Sequence, residues 1–224
     1  MGAPSPAPTR LPFADRAEAG CALGERLADE LAWRGLPAGS ALVLGLPRGG
    51  VVVAAEVARR LGAPLDAYVV RKLGLPAQPE LAMGAIASGG VLVRNERVIE
   101  AAGVPDDVLR AVAAAELVEL ERRERAYRGD RPPVDAAGRV AIVVDDGLAT
   151  GATARAALRA LRAAKPAALV LAVPVAPRGT TAGFADDADL VVCLAEPRRF
   201  GAVGRHYRDF TPTSDDEVRA LLAG

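Results

Sequence analysis

The sequence carries a single histidine and two cysteines in 224 residues. Structural zinc sites draw on four His and Cys ligands, so no such set can be assembled. Cys21 and Cys193 are far apart and neither belongs to a C-x-x-C pair, which excludes a local redox motif and fits a reducing cytoplasm. No apolar run approaches the ~20 residues that a membrane-spanning helix needs. Acids and bases balance at 28 each, whereas a chain built to hold nucleic acid by its phosphates needs a basic excess. Neither nucleic acid nor membrane is therefore expected as a partner. Lysine is scarce as well, occurring only at Lys72 and Lys165. There is no G-x-x-x-x-G-K-[ST] and no credible G-x-G-x-x-G, so the P-loop and dinucleotide fingerprints are excluded.

What is present can build a core. Hydrophobic residues make up 51% of the chain, enough for one sizeable domain. Residues 1–12, MGAPSPAPTRLP, lack an apolar stretch and read as a disordered tail, and residues 13–224 read as a single domain. Ala17, Cys21, Leu23, Leu27, Leu31 and Trp33 recur at helical spacing and predict a helix over Asp15–Arg34, stopped by Gly35. ALVLGLP, 41–47, predicts a buried strand; VVVAAEVARRLG predicts a helix ending at Gly62; LDAYVVRKL predicts a second strand over Leu65–Leu73. Leu81–Asn95 alternates small and apolar residues about Gly89 and Gly90 and predicts a hairpin or two short strands. From Pro105 to Arg128 acids come first and arginines last, matching the helix macrodipole; this predicts a long helix, read as a solvated cover. Further strands are expected at Val140–Val144, Ala167–Val175 and Asp189–Ala195, with a helix after the first and a short one near Thr180–Phe184. Apolar strands alternating with helices imply an α/β fold with a parallel sheet covered on both faces.

The chemistry concentrates in VAIVVDDGLATGAT, Val140–Thr153. In a parallel α/β sheet the ligand sits beyond the carboxyl ends of the strands, which is where Asp145 and Asp146 fall. The turn that follows delivers backbone N–H groups to a helix N-terminus, a place that favours an anion. Gly147 and Gly151 are expected to supply conformations closed to other residues, and Thr150 and Thr153 add hydroxyls. Two carboxylates repel the phosphate that such a loop attracts. Their natural partners are hydroxyl groups or a metal at the far side of the same ligand, and a phosphorylated sugar satisfies both ends.

These residues resemble the signature of the type I phosphoribosyltransferases: apolar residues, two acids, a short spacer, then T-G-x-T. LPRGGVVVAAEVARRLGAPLD, VVRKLG, PELAMGAIA and PRRFGAVGRHYRDF extend the likeness over about residues 13–218, toward a subgroup of predicted phosphoribosyltransferases whose acceptor is not established. The resemblance implies that family's parallel sheet flanked by helices, with a helical insertion at about 96–131 and a small C-terminal hood at about 195–212. It implies transfer of a phosphoribosyl group from 5-phosphoribosyl 1-pyrophosphate to a nitrogenous, base-like acceptor. Asp145 and Asp146 would hold the ribose hydroxyls and the developing cation, and Gly147, Ala149, Thr150, Gly151, Ala152 and Thr153 the 5-phosphate. Arg48, Gly49, Gly50, Arg71 and Lys72 would hold pyrophosphate, with Arg48 and Lys72 counted as catalytic beside the acids. Mg²⁺ would be bound chiefly through substrate oxygens, with Asp145 and Asp146 in reach of it. The family often has a non-proline cis peptide in its first loop, which maps to Pro47–Arg48.

Phe200 and Tyr207 in the hood are placed to stack on an acceptor ring, Phe210 is assigned to packing, and His206 is read as solvated. Ala149 stands where hypoxanthine-guanine enzymes carry an aspartate, which argues against that acceptor. Two other readings stay open: a regulator that binds phosphoribosyl pyrophosphate or a nucleotide without turnover, and a phosphosugar hydrolase. Assembly into a homo-oligomer also stays open.

Overall fold

The computed structural model describes residues 10–129 and 131–224. In chain order these form α1 (Arg16–Trp33), β1 (Ala41–Gly45), α2 (Gly49–Leu61), β2 (Leu65–Ala67), β3 (Val70–Leu75), β4 (Gln78–Ala87), β5 (Val91–Arg94), α3 (Glu96–Ala102), α4 (Asp106–Arg128), β6 (Val140–Val144), α5 (Ala152–Arg162), β7 (Ala168–Val175), β8 (Leu190–Ala195) and α6 (Asp215–Ala223), with short 3₁₀ turns between some of them. Five strands make a parallel sheet in the order β2-β1-β6-β7-β8, and β3-β4-β5 make a separate antiparallel one.

The unbroken apolar runs of β1, β6 and β7 follow from burial of both faces of the parallel sheet. Val43, Ile142 and Val170 point to one side, where Leu23, Leu27 and Leu31 of α1 and Val53, Ala54 and Val57 of α2 cover them. Leu44, Val143 and Leu171 point to the other and meet Ala154, Ala157, Leu158 and Leu161 of α5. Each fully buried Leu or Val contributes about 1.5–3 kcal/mol relative to exposure. The two covers fix β6 and α5, and hence the loop between them.

The strand expected over Leu65–Leu73 is two strands in two sheets. Tyr68 N–H makes a last bond to Gly45 O at 2.9 Å. Beyond it β1 has turned into Pro47, which has no N–H, so no backbone remains for a longer β2 to pair with. The chain crosses over instead: Val69 N–H donates to Ser88 Oγ at 2.9 Å and Ser88 N–H to Val69 O at 2.8 Å, starting the β3-β4 ladder. Lys72 therefore sits within the antiparallel sheet and not at the end of a core strand.

The long helix is more than a solvated cover. Leu109, Leu120 and Tyr127 of α4 are buried against Leu73, Met83 and Ile86 of the antiparallel sheet and against Val218 and Leu222 of α6. Its last turn is tied to β2: Arg128 Nε reaches both oxygens of Asp66, at 2.8 and 2.9 Å, and Nη2 donates to Ala67 O at 2.6 Å. α6 was not anticipated from the sequence, although Ser214 followed by Glu217 is a capping pattern, and Ser214 Oγ does accept from Glu217 N–H at 3.1 Å. Of the expected tail, residues 1–9 lie outside the described residues, while Leu11 packs beside Phe13 and Tyr207. No described helix is long and apolar enough to cross a membrane.

Candidate active site

Asp145 and Asp146 follow the last residue of β6. Asp145 Oδ1 accepts the N–H of Asp146 at 2.9 Å. Burial pushes the Asp145 carboxyl well above its ordinary range, and the charge of Asp146 adds to that. Burial raises Asp146 as well, opposed by Arg16, whose Nε donates to Asp146 Oδ2 at 2.9 Å. The pair is thus two carboxylates crowded against the protein interior, with one guanidinium between them and neutrality.

Gly49 and Gly50, which open α2, wall the acids on one side. A Cβ on Gly50 would lie 2.9 Å from Asp145 Cα and 2.8 Å from Val144 O; one on Gly49 would overlap Asp146 Oδ2. Only glycine lets the first turn of α2 come this close. The Pro47–Arg48 peptide is cis.

Gly147 is buried and needed for space: a Cβ there would stand 2.7 Å from Val203 Cγ1 and 3.0 Å from Val175 Cγ1. Its missing side chain lets the acid loop pack beneath Val203. Gly151 has φ +71° and lies so close to Phe184 that a Cβ would be 2.6 Å from Cζ. Ala149, Thr150, Ala152 and Thr153 are exposed. They surround the start of α5, whose first-turn N–H groups have no intrahelical acceptor.

Each proposed pyrophosphate cation is turned toward a carboxylate of its own. Arg48 is half-exposed with Nη1 3.9 Å from Asp215 Oδ1. Arg71 Nε donates to Glu116 Oε2 of α4 at 2.7 Å. Lys72 Nζ lies 3.5 Å from Glu80 O and 3.6 Å from Glu80 Oε2. Arg48 directly precedes the glycines that wall the acids, and Arg71 lies on β3. Lys72 borders a cavity of about 270 Å³ that it shares with Thr150, Ala152 and Thr153, on the side of the loop where α5 starts.

The segment expected to form a hood, at about residues 195–212, packs inward. Tyr207 is buried between Phe13, at a ring distance of 5.6 Å, and Phe210, at 5.1 Å, and its hydroxyl donates to Asp146 O at 2.5 Å. Burial and the neighbouring carboxylate push its ionisation upward, so it is a fastener of the acid loop and not an open stacking face. His206 is also buried, contrary to the sequence expectation, with Nε2 3.1 Å from Phe200 O. Phe200 is half-buried and tilts on His206 at 5.0 Å.

The residue the sequence reading missed is Arg16. Besides Asp146 it donates from Nη1 to Thr211 O at 2.9 Å, and its guanidinium lies 3.9 Å from the centre of the Phe210 ring. A signal existed: Arg16 is the first residue of α1, directly after its cap Asp15, where the macrodipole disfavours a cation. The acid that offsets this stands 130 positions away in sequence.

Among proteins of known sequence, the profile of the phosphoribosyl transferase domain matches residues 17–203. The chain belongs to this family. A Mycobacterium tuberculosis protein, provisionally named a phosphoribosyl transferase, is 51% identical over 210 residues, which are 94% of this chain and 46% of that protein. The chain thus spans about half the length of the curated relatives it matches. A crystal structure of a Thermus thermophilus protein is 44% identical, with a TM-score of 0.81 over 94% of this chain and 97% of that one. A hypoxanthine phosphoribosyltransferase structure from Staphylococcus aureus is similar at 11% identity and a TM-score of 0.44, over 84% of this chain and 78% of that one. The parallel sheet flanked by helices is the fold this family resemblance implies.

Proposed function

We propose that the chain transfers a 5-phosphoribosyl group from 5-phosphoribosyl 1-pyrophosphate to a nitrogenous acceptor, with release of pyrophosphate. The observation that carries this reading is the juxtaposition, across one short loop, of the crowded acids Asp145 and Asp146 with the exposed start of α5 at Thr150, Ala152 and Thr153. One end repels phosphate and accepts hydroxyl hydrogens; the other offers N–H groups and hydroxyls to an anion. A sugar with a phosphate on its far carbon spans the two.

On this reading Thr150, Gly151, Ala152 and Thr153 hold the 5-phosphate and Lys72 neutralises it from the antiparallel sheet. Gly49 and Gly50 present their N–H groups to pyrophosphate, and Arg48 and Arg71 reach it by leaving Asp215 and Glu116. Asp145 and Asp146 accept from the ribose hydroxyls and stabilise the positive charge that grows on the sugar as pyrophosphate departs, the kind of cation met in glycoside hydrolysis. Phe200 is the hood aromatic left for an acceptor ring.

Among the described residues no group of three or more His, Cys, Asp or Glu side chains is placed to hold a metal ion. Two hard carboxylates, one already bonded to Arg16, fit Mg²⁺ held mostly by substrate oxygens, since that ion takes few protein ligands. When bound it would supply charge neutralisation on the leaving pyrophosphate. A cytoplasmic setting, where such phosphosugars are made, belongs to the same reading.

The test is a screen of purified protein against a panel of nitrogenous bases with Mg²⁺ and 5-phosphoribosyl 1-pyrophosphate, reading pyrophosphate release. Release that depends on an acceptor supports transfer. Tight binding without turnover assigns the chain to regulation, and release without an acceptor assigns it to hydrolysis.

A further inference from the structure

The two acids differ in what holds them. Asp145 is tied to the interior: its Oδ1 takes the next residue's N–H at 2.9 Å, and Gly50 closes over it. Asp146 is tied to the hood at both ends. Its carbonyl accepts from Tyr207 at 2.5 Å, and its carboxylate accepts from Arg16 at 2.9 Å. Arg16 in turn holds Thr211 O at 2.9 Å and lies on the Phe210 ring. Arg16 and Asp146 are both largely buried, with side chains 11% and 16% exposed, so this is not a solvated surface pair of the kind that contributes little. A guanidinium with five fixed donors can bond a carboxylate and a carbonyl at once while stacking on an aromatic face; an ammonium cannot do all three.

We propose that Arg16 is a positioning residue that fastens the hood to the second acid, so that the cover over the acceptor side and the carboxylate on the sugar side move as one unit. This rests on the transferase reading for its purpose: an acceptor seated under the hood would register at Asp146, and a sugar seated on Asp146 would order the hood. It adds a division of labour within the pair. Asp145 is the acid fixed to the sheet and Asp146 the acid that reports hood position. Arg16 is hydrogen-bonded to both parts and stacked on one of them, a contiguous contact of the kind that can carry coupling.

The experiment is hydrogen–deuterium exchange on the full chain, read in peptides covering residues 200–211. Arg16→Met and Asp146→Asn should each speed exchange there by about tenfold, the scale of losing a hydrogen bond to a charged group. The double variant should go little further than Arg16→Met alone, because both remove the same tie. Arg16→Lys should restore part of the protection. Circular dichroism establishes that each variant is folded. Fully additive effects, or no change confined to the hood, overturn the proposal. Millimolar 5-phosphoribosyl 1-pyrophosphate with Mg²⁺ should then protect residues 200–211 in the wild type and fail to do so in Arg16→Met, with binding to both followed by calorimetry. A purely structural Arg16 would leave that protection intact in the variant, which also overturns the proposal. If calorimetry finds no binding to the wild type, the transferase reading falls, and the ligand-free cycle still decides whether Arg16 couples hood and acid.

Discussion

Gly49 lies against Asp146 with no room for a methyl group between them: a Cβ on Gly49 would overlap Oδ2 and come within 2.7 Å of Arg16 Nε. The first turn of α2 and the second acid are therefore one packed unit. Gly49→Ala should push the Asp146 carboxylate away from Arg16, at a cost of about 1–3 kcal/mol for an overpacked site. The melting temperature should fall, and calorimetric affinity for Mg²⁺ and 5-phosphoribosyl 1-pyrophosphate should fall with it. Unchanged binding would show that the loop's close approach has nothing to do with the ligand.

Asp145 is predicted to be a residue the fold would be more stable without. Its carboxyl is held above the ordinary range by burial first and by Asp146 second. An acid whose folded pKa lies above its unfolded one binds its proton more tightly when folded. Its stability contribution is present below the unfolded pKa and is lost as pH rises from there through the folded pKa. Above the ordinary carboxylate range burial makes Asp145 a cost to the folded state, and Asp145→Asn keeps an oxygen for the Asp146 N–H while removing the group that titrates. The variant should melt higher at pH 7, by about 2–4 °C for each kcal/mol relieved. The gap should close toward pH ~4, the ordinary carboxylate range. A variant that melts lower at pH 7 would mean the pair is stabilised by contacts beyond those described.

The elements that carried the functional argument were legible because their signals are local. β6 shows as five apolar residues since both faces of the sheet are covered, and α5 shows as Ala and Leu at helical spacing after a glycine whose φ of +71° other residues rarely adopt. What escaped depends on partners far off in sequence. The break between β2 and β3 is set by where β1 runs out, at Pro47. Whether Tyr207 faces an acceptor or the core is set by Phe13 and by the Asp146 carbonyl. Arg16 shows only as a misplaced cation until the acid 130 positions away is put beside it. α6 is the exception, since Ser214 and Glu217 announce it locally.

The tie between Asp66 and Arg128 anchors the long helix α4 to the edge of the parallel sheet, with side chains 7% and 6% exposed. Removing one partner of a buried pair leaves the other charge unsatisfied, at about 3–5 kcal/mol. Arg128→Met should therefore lower the melting temperature by roughly 6–20 °C at 2–4 °C per kcal/mol. Replacing both residues with Leu should not recover the loss, because Ala67 O and Val134 N–H also lose the partners they have in Arg128 and Asp66. Recovery to wild-type stability in the double variant would show that these two backbone groups find other partners.

The transferase reading makes its strongest demand on the contrast between the acids and the phosphate loop. Asp145 and Asp146 face a sugar that becomes positive only as pyrophosphate leaves, so their charge acts more on the transition state than on the bound substrate. Only interactions that strengthen in the transition state raise the rate. Asp145→Asn and Asp146→Asn should each reduce kcat by about 10²–10³-fold, the usual loss for one such electrostatic group, with a modest effect on substrate affinity. Thr150 is exposed at the start of α5 and would contact a phosphate that is the same in substrate and transition state. Thr150→Val should therefore raise KM and leave kcat nearly unchanged, the mark of lost uniform binding. Steady-state kinetics with the acceptor found by the screen separates the two patterns. If both Asn variants turn over at the wild-type rate while folded, the acid pair is a structural turn and the proposed chemistry is wrong. If Thr150→Val loses kcat and not affinity, the 5-phosphate does not sit at this loop.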